Sequence, residues 1–207
     1  MTDTNDENPP DNEKEALRIS FADLPPETQQ PRLIALFGDL DEEAVEDVCM
    51  GLITLKNSTI KEGENVPDQT INFCISTWGG DALGMFGIYD LMRMIKKECD
   101  ISTFAMGKVM SAGVLLLAAG TKGKRKIGKH TRIMIHSIRG GHFGPVHLLE
   151  NEMKETRWVQ EQHIDAMVAE TKLTRTALKK MLNKKYQQNL SKNLTIAIVK
   201  YLLKTKY

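Results

Sequence analysis

From Arg32 onward, short apolar runs alternate with amphipathic stretches. RLIALFG (32–38) is an apolar run closed by glycine and predicts a strand. In DEEAVEDVCMGLITLKNS (41–58), Ala44, Val45, Val48, Leu52 and Leu55 recur at helical spacing. A turn-rich loop, KEGENVPDQ (61–69), leads to a second strand, TINFCIST (70–77), which opens onto Trp78-Gly79-Gly80-Asp81. An amphipathic helix follows over 82–97, then a third strand, DISTFAMG (100–107). Past Ser111 comes an apolar helix, and RIMIHS (132–137) is a fourth strand before the glycine-rich IRGGHFG (138–144). The charge-laced stretch from Val146 to about Thr171 predicts a long helix, and residues 174–187 a further one. Strands that alternate with helices imply an α/β fold with parallel pairing.

The first 30 residues break this pattern. They are rich in Asp, Glu, Asn, Pro and Gln and offer little to pack, so they read as a polar mobile tail before a domain over 31–207. Ile19–Leu24 is a candidate docking segment within the tail. With 28 basic and 27 acidic residues and only 6% aromatics, the composition argues against nucleic-acid binding. Cys49, Cys74 and Cys99 stand singly, without metal-ligand spacing, and read as small core residues in a reducing compartment. The N-terminus lacks a signal-peptide profile, and the longest apolar run, Val114–Ala119, is far too short to span a bilayer. A soluble, cytoplasmic protein without membrane contact is the expectation.

Candidate chemistry gathers at Ser111. Gly79-Gly80 follows a strand directly, and glycine lets backbone N–H groups approach a ligand. Ser111 opens the apolar helix, where unpaired N–H groups and the helix dipole favour an anion. His136 closes a strand at the same edge of the sheet, where ligands collect in parallel α/β folds. The N–H groups of Ala112 and of the Gly79 turn can then bind an oxyanion, while His136 takes the proton of Ser111. Taken singly, each residue has a plain structural reading: Ser111 as a packing residue, His136 as a satisfied histidine.

Together, WGGD, GKVMSAGVLLLAAGTKGKR and RIMIHSIRGG resemble the proteolytic subunit of Clp proteases, the ClpP serine peptidases, over about Arg32 to Thr171. The resemblance implies a crotonase-like fold of stacked ββα units with a projecting handle helix, here 146–171. It carries Ser111 over as nucleophile, His136 as general base, and the N–H groups of Gly79 and Ala112 as oxyanion hole. It further implies a ring, heptameric or stacked into a tetradecamer, fed with unfolded polypeptide by a Clp-family ATPase unfoldase. No metal or organic cofactor is implied.

Three departures qualify that expectation. Trp78 stands where the family has proline, which would rigidify the turn; either the turn is looser here, or Trp78 walls a substrate pocket, or it merely covers the core edge. The third triad position falls on Gln187 when anchored on Leu190-Ser191, or on Lys185 when counted without a gap, and no Asp or Glu occurs after Glu170. Gln187 or Asn183 can orient the imidazole but cannot supply the charge. Asp165, Glu170 or an acid from another subunit are the remaining candidates. The ending TIAIVKYLLKTKY replaces the family's acidic one. Two functions stay open: an endopeptidase of unfolded chains, and a catalytically weak or inactive subunit of a mixed ring. An acyl-CoA enzyme of the wider crotonase group fits less well, because such enzymes do not use a Ser–His pair. His142 and His147 read as loop histidines or as groove lining. Met85, Met92, Met94, Met106 and Met110 read mostly as core filler, and KGKRKIGKH (122–130) as a solvated turn or chamber wall.

Overall fold

Among the described residues every strand pair is parallel, as the alternation of strand and helix leads one to expect. In a computed structural model that describes residues 31–59, 68–141 and 143–183, β1 (Leu33–Leu40), β2 (Ile71–Gly80) and β3 (Ile101–Met110) lie side by side. Two three-residue strands, β4 (Arg125–Ile127) and β5 (Arg132–Met134), pair in turn with the far edge of β3. All described elements belong to the unit Arg32–Tyr207; a separate unit comprises Met1–Pro31. Ile19–Leu24, the candidate docking segment, lies outside the described residues.

Helices α1 (Glu42–Asn57) and α2 (Ala82–Ile95) make the parallel crossovers between the first three strands. Each starts on an aspartate cap. Asp41 accepts from the Ala44 N–H, and Asp81 from the N–H groups of Leu83 and Gly84. The aspartate of WGGD is therefore a helix cap. Helix α3 (Ala112–Ala119) is buried at every position, which accounts for its lack of a polar face.

Several elements differ from the sequence expectation in extent. Both β2 and β3 run three residues further than predicted, to Gly80 and Met110, because neighbouring strands continue to pair with them. The predicted 132–137 strand stops at Met134. KGKRKIGKH has exposed turns at 122–123 and 129–130 as expected, but they flank β4, whose Arg125 is buried. Met94 is exposed and fills no core, whereas Met85, Met92 and Met110 are buried.

Helix α4 (Val146–Glu170) changes character along its length. Its first half is mostly exposed, with Val146, Leu148, Met153 and Trp158 facing outward. Its second half buries Val159, His163, Ile164, Ala166, Met167 and Glu170. Helix α5 (Arg175–Asn183) follows, and residues beyond it lie outside the description.

The buried end of α4 is pinned by charge. Arg125 Nη1 donates to the Glu170 carbonyl at 2.6 Å, and Nη2 to Glu170 Oε2 at 3.2 Å. Its Nε donates to the Gly120 carbonyl at 2.8 Å, while Lys96 approaches Glu170 Oε2 at 3.5 Å. Removing one partner of a buried pair leaves the other charge uncompensated. We expect Glu170→Ala to lower unfolding free energy by about 3–5 kcal/mol in urea titrations. Arg175→Ala breaks the exposed bridges to Glu161 and Asp165 and should leave the urea midpoint close to that of wild type in the same assay.

Candidate active site

Ser111 sits where β3 ends and α3 begins. Its backbone adopts φ 52° and ψ −120°, and among the described residues it is the only non-glycine with positive φ. Such a conformation costs on the order of 1–3 kcal/mol and persists only where the surroundings over-determine it. Here they do. β3 is paired with β5 up to Met110–Met134, and the Ser111 N–H donates to the Met134 carbonyl at 2.8 Å. The following residue is committed to a buried helix. The hydroxyl makes no capping hydrogen bond and stays free for other work.

Gly79 makes room for this turn. A Cβ at position 79 would lie 2.6 Å from Ser111 Cβ, 2.9 Å from the Met110 carbonyl oxygen and 3.1 Å from the Ala112 nitrogen, and Gly79 has φ +90°. Two strand irregularities flank it. Trp78 is an extra residue between the pairs Gly38–Thr77 and Asp39–Gly79, and β3 carries extra residues between Ala105 and Val109. Bulges of this kind re-aim a strand end, and they are common beside active sites. Trp78 is 61% exposed, so it does not cover the core edge. The Lys108 ammonium stands 4.8 Å from its ring centroid.

Both expected oxyanion donors reach this junction, in different states. Ala112 is the first residue of α3, where N–H groups have no intrahelical acceptor. The Gly79 N–H donates at 2.9 Å to Thr77 Oγ1, a fully buried hydroxyl of its own strand.

His136 lies two residues past β5, half-buried, on the segment that the Ser111–Met134 bond draws to the serine. No hydrogen bond joins the Ser111 hydroxyl to the imidazole. Nδ1 is 2.5 Å from the Ser137 carbonyl oxygen. A carbonyl only accepts, so Nδ1 carries the hydrogen, and whenever the ring is neutral Nε2 holds the lone pair. That is the tautomer a general base acting through Nε2 requires.

The carboxylates considered as substitutes are engaged elsewhere: Asp165 with Arg175, and Glu170 with Arg125 and Lys96. Gln187 and Lys185 lie outside the described residues, as does His142; Asn183 is the last residue of α5. His147 is exposed in the first turn of α4.

Sequence reasoning passed over His163. It is 2% exposed on α4, and its pKa falls to about 4, first through burial and then through the charge of His136. One signal was available. Val159, His163, Met167 and Glu170 recur at helical spacing, which places one ionisable ring on an apolar stripe.

A strained serine and the N-terminus of a buried helix stand at the carboxyl edge of a parallel sheet, the edge where ligands collect in α/β folds. The sequence model of the Clp protease family matches residues 20–205, and the chain belongs to that family. Its parallel sheet, covering helices and long α4 are the ClpP-like fold. Membership makes it a ClpP-like peptidase by descent, from a family that forms oligomeric rings and works on peptide substrates. Among the described residues no helix is long and apolar enough to cross a membrane.

Two predictions follow from this geometry. Gly79→Ala collides with the serine turn, whereas Gly38→Ala, at φ +87° with nothing within 4 Å, meets backbone strain alone. Thermal unfolding should show a loss of about 3 kcal/mol or more for the first and about 1 kcal/mol for the second. His163 binds its proton less tightly in the folded state than the usual value of 6.5. The unfolded chain therefore holds more protons between about pH 6.5 and 4, and stability drains away as pH falls through that window. The loss from this group approaches about 3 kcal/mol. His163→Leu should flatten the pH–stability curve by that amount.

Proposed function

We propose that the chain is a Clp-type serine endopeptidase subunit that cleaves unfolded polypeptides delivered by a Clp-family ATPase. Ser111 is the nucleophile, His136 the general base, and the N–H groups of Gly79 and Ala112 the oxyanion hole. The observation that carries this reading is the backbone of Ser111, the one strained non-glycine among the described residues, with a hydroxyl left without a capping bond. Strain of this kind gathers at functional sites, and a sharp strand-to-helix turn presents a serine hydroxyl above a sheet.

In acylation, Ser111 Oγ attacks the scissile carbonyl carbon and its proton passes to His136 Nε2. The oxyanion draws on the Ala112 N–H and on the Gly79 N–H, which exchanges Thr77 Oγ1 for the substrate oxygen. His136 then returns the proton to the leaving amine, and water completes hydrolysis by the same route. No cofactor enters this sequence.

A second reading is favoured by one specific feature: no described acid hydrogen-bonds or pairs with His136, whose Nδ1 partner is a neutral carbonyl. On that reading the chain is a weak or inactive subunit that completes a mixed ring. Labelling of the full-length, assembled protein with a fluorophosphonate probe separates the two. The expected result is covalent labelling that Ser111→Ala abolishes and His136→Ala slows by about 10³-fold or more. Absence of labelling, with peptide hydrolysis appearing only alongside an active paralogue, selects the mixed ring.

A further inference from the structure

Hydrogen-bond accounting is unbalanced at one place in the described structure. Three buried side-chain nitrogens have no partner among the described residues: Gln160 Nε2 and both ring nitrogens of His163. Gln160 and His163 are three residues apart on α4 and so share a face. Against that face lies the chain that follows β5, for Gln160 Oε1 accepts the Ile138 N–H at 2.8 Å. Ser137 is tied down beside it, its hydroxyl donating to the Leu182 carbonyl at 2.8 Å. Of the described ionisable groups, His136 is the one whose charge is felt at His163.

A buried polar group left unmet is destabilising, and native folds seldom tolerate several in one place without a purpose. Here the surplus is matched by a deficit. His136 spends its Nδ1–H on the carbonyl of the very next residue, a local contact that lends the ring little orientation. An imidazole with a donor spent locally stands within electrostatic reach of a buried imidazole with an idle acceptor.

We propose that His163 is the positioning residue that replaces the missing carboxylate, its neutral ring accepting the Nδ1–H of His136 in the acylating state. The proposal rests on the serine-peptidase reading above. The His136 ring turns from the Ser137 carbonyl to a His163 nitrogen. In the reaction, the Ser111 proton goes to His136 Nε2 and the bond from Oγ to the substrate carbon forms. The Nδ1 proton stays on His136, and His163 stays neutral throughout. A ring with its pKa lowered to about 4 suits that role, since at neutral pH it adds no charge that would oppose the imidazolium. The helix that bears His163 is pinned by Glu170 two turns on, so the acceptor is fixed by a buried ion pair.

The test compares the assembled, full-length wild type with His163→Leu, His163→Gln and His163→Asn. The measured quantities are the second-order rate of fluorophosphonate labelling at Ser111 and the melting temperature. His163→Leu removes two unmet nitrogens and keeps the apolar volume, so its melting temperature at pH 7.5 should equal or exceed that of wild type. Its labelling should nevertheless fall by about 10- to 100-fold, because a neutral acceptor is worth less than the carboxylate whose amide replacement costs about 10⁴. At least one of the amide variants, which restore an acceptor oxygen, should return labelling to within about threefold of wild type. Labelling of His163→Leu at the wild-type rate overturns the proposal and leaves the serine-peptidase reading intact. So does a loss shared by all three variants in step with lowered melting temperatures, which marks His163 as structural. An unlabelled wild type removes the serine-peptidase reading and this proposal with it.

Discussion

The site depends on how the end of β3 is held. The strand is paired through Met110, the next N–H is captured by the Met134 carbonyl, and the residue after that enters a helix with no exposed face. Between these fixed points, Ser111 has no relaxed conformation available and takes φ 52°. The same bond that strains the serine draws the His136 segment to it. Strain and proximity thus have a single cause, the short parallel ladder between β3 and β5.

Around that junction the backbone makes way. Gly79 cannot carry a side chain without meeting Ser111, and the bulges at Trp78 and at 106–108 re-aim the ends of two long strands. Thr77 holds the Gly79 N–H in the meantime, so this donor is already satisfied in the free chain. On the proposed mechanism, exchange of that oxygen for the substrate's is a modest demand, unlike the exposure of a buried N–H from a dry core.

Much of this was legible in the linear chain. The GG pair, the serine before an apolar run and the histidine after a strand lie within the described structure and converge on one sheet edge, because strand ends in a parallel sheet share an edge whatever the details. Less legible were the electrostatic contacts of the handle. KGKRKIGKH looks like solvated charge, yet Arg125 folds inward to meet Glu170 over 45 residues of sequence, and nothing local announces that partnership. Asp165 and Glu170 looked like free acids near a histidine that lacks one. Each has a guanidinium of its own. The stretch that holds Gln187 lies outside the described residues, so the position expected for the third triad member has no structural counterpart here.

What the sequence determined by itself is whatever follows from periodicity and local chemistry: alternating strand and helix, parallel pairing, aspartate caps, and a serine–histidine pair on one edge. These depend on spacing of 2 and 3.6 residues and on side-chain types a few positions apart. The tertiary structure alone decided which charges are spent on each other and which polar atoms are left over. It decided that the imidazole of His136 leans on its neighbour's carbonyl, and that a second imidazole waits buried on α4 without a partner. Such pairings join residues far apart in the chain, and a hydrogen bond is made or missed over a few tenths of an ångström, a distance that no pattern of residue types encodes.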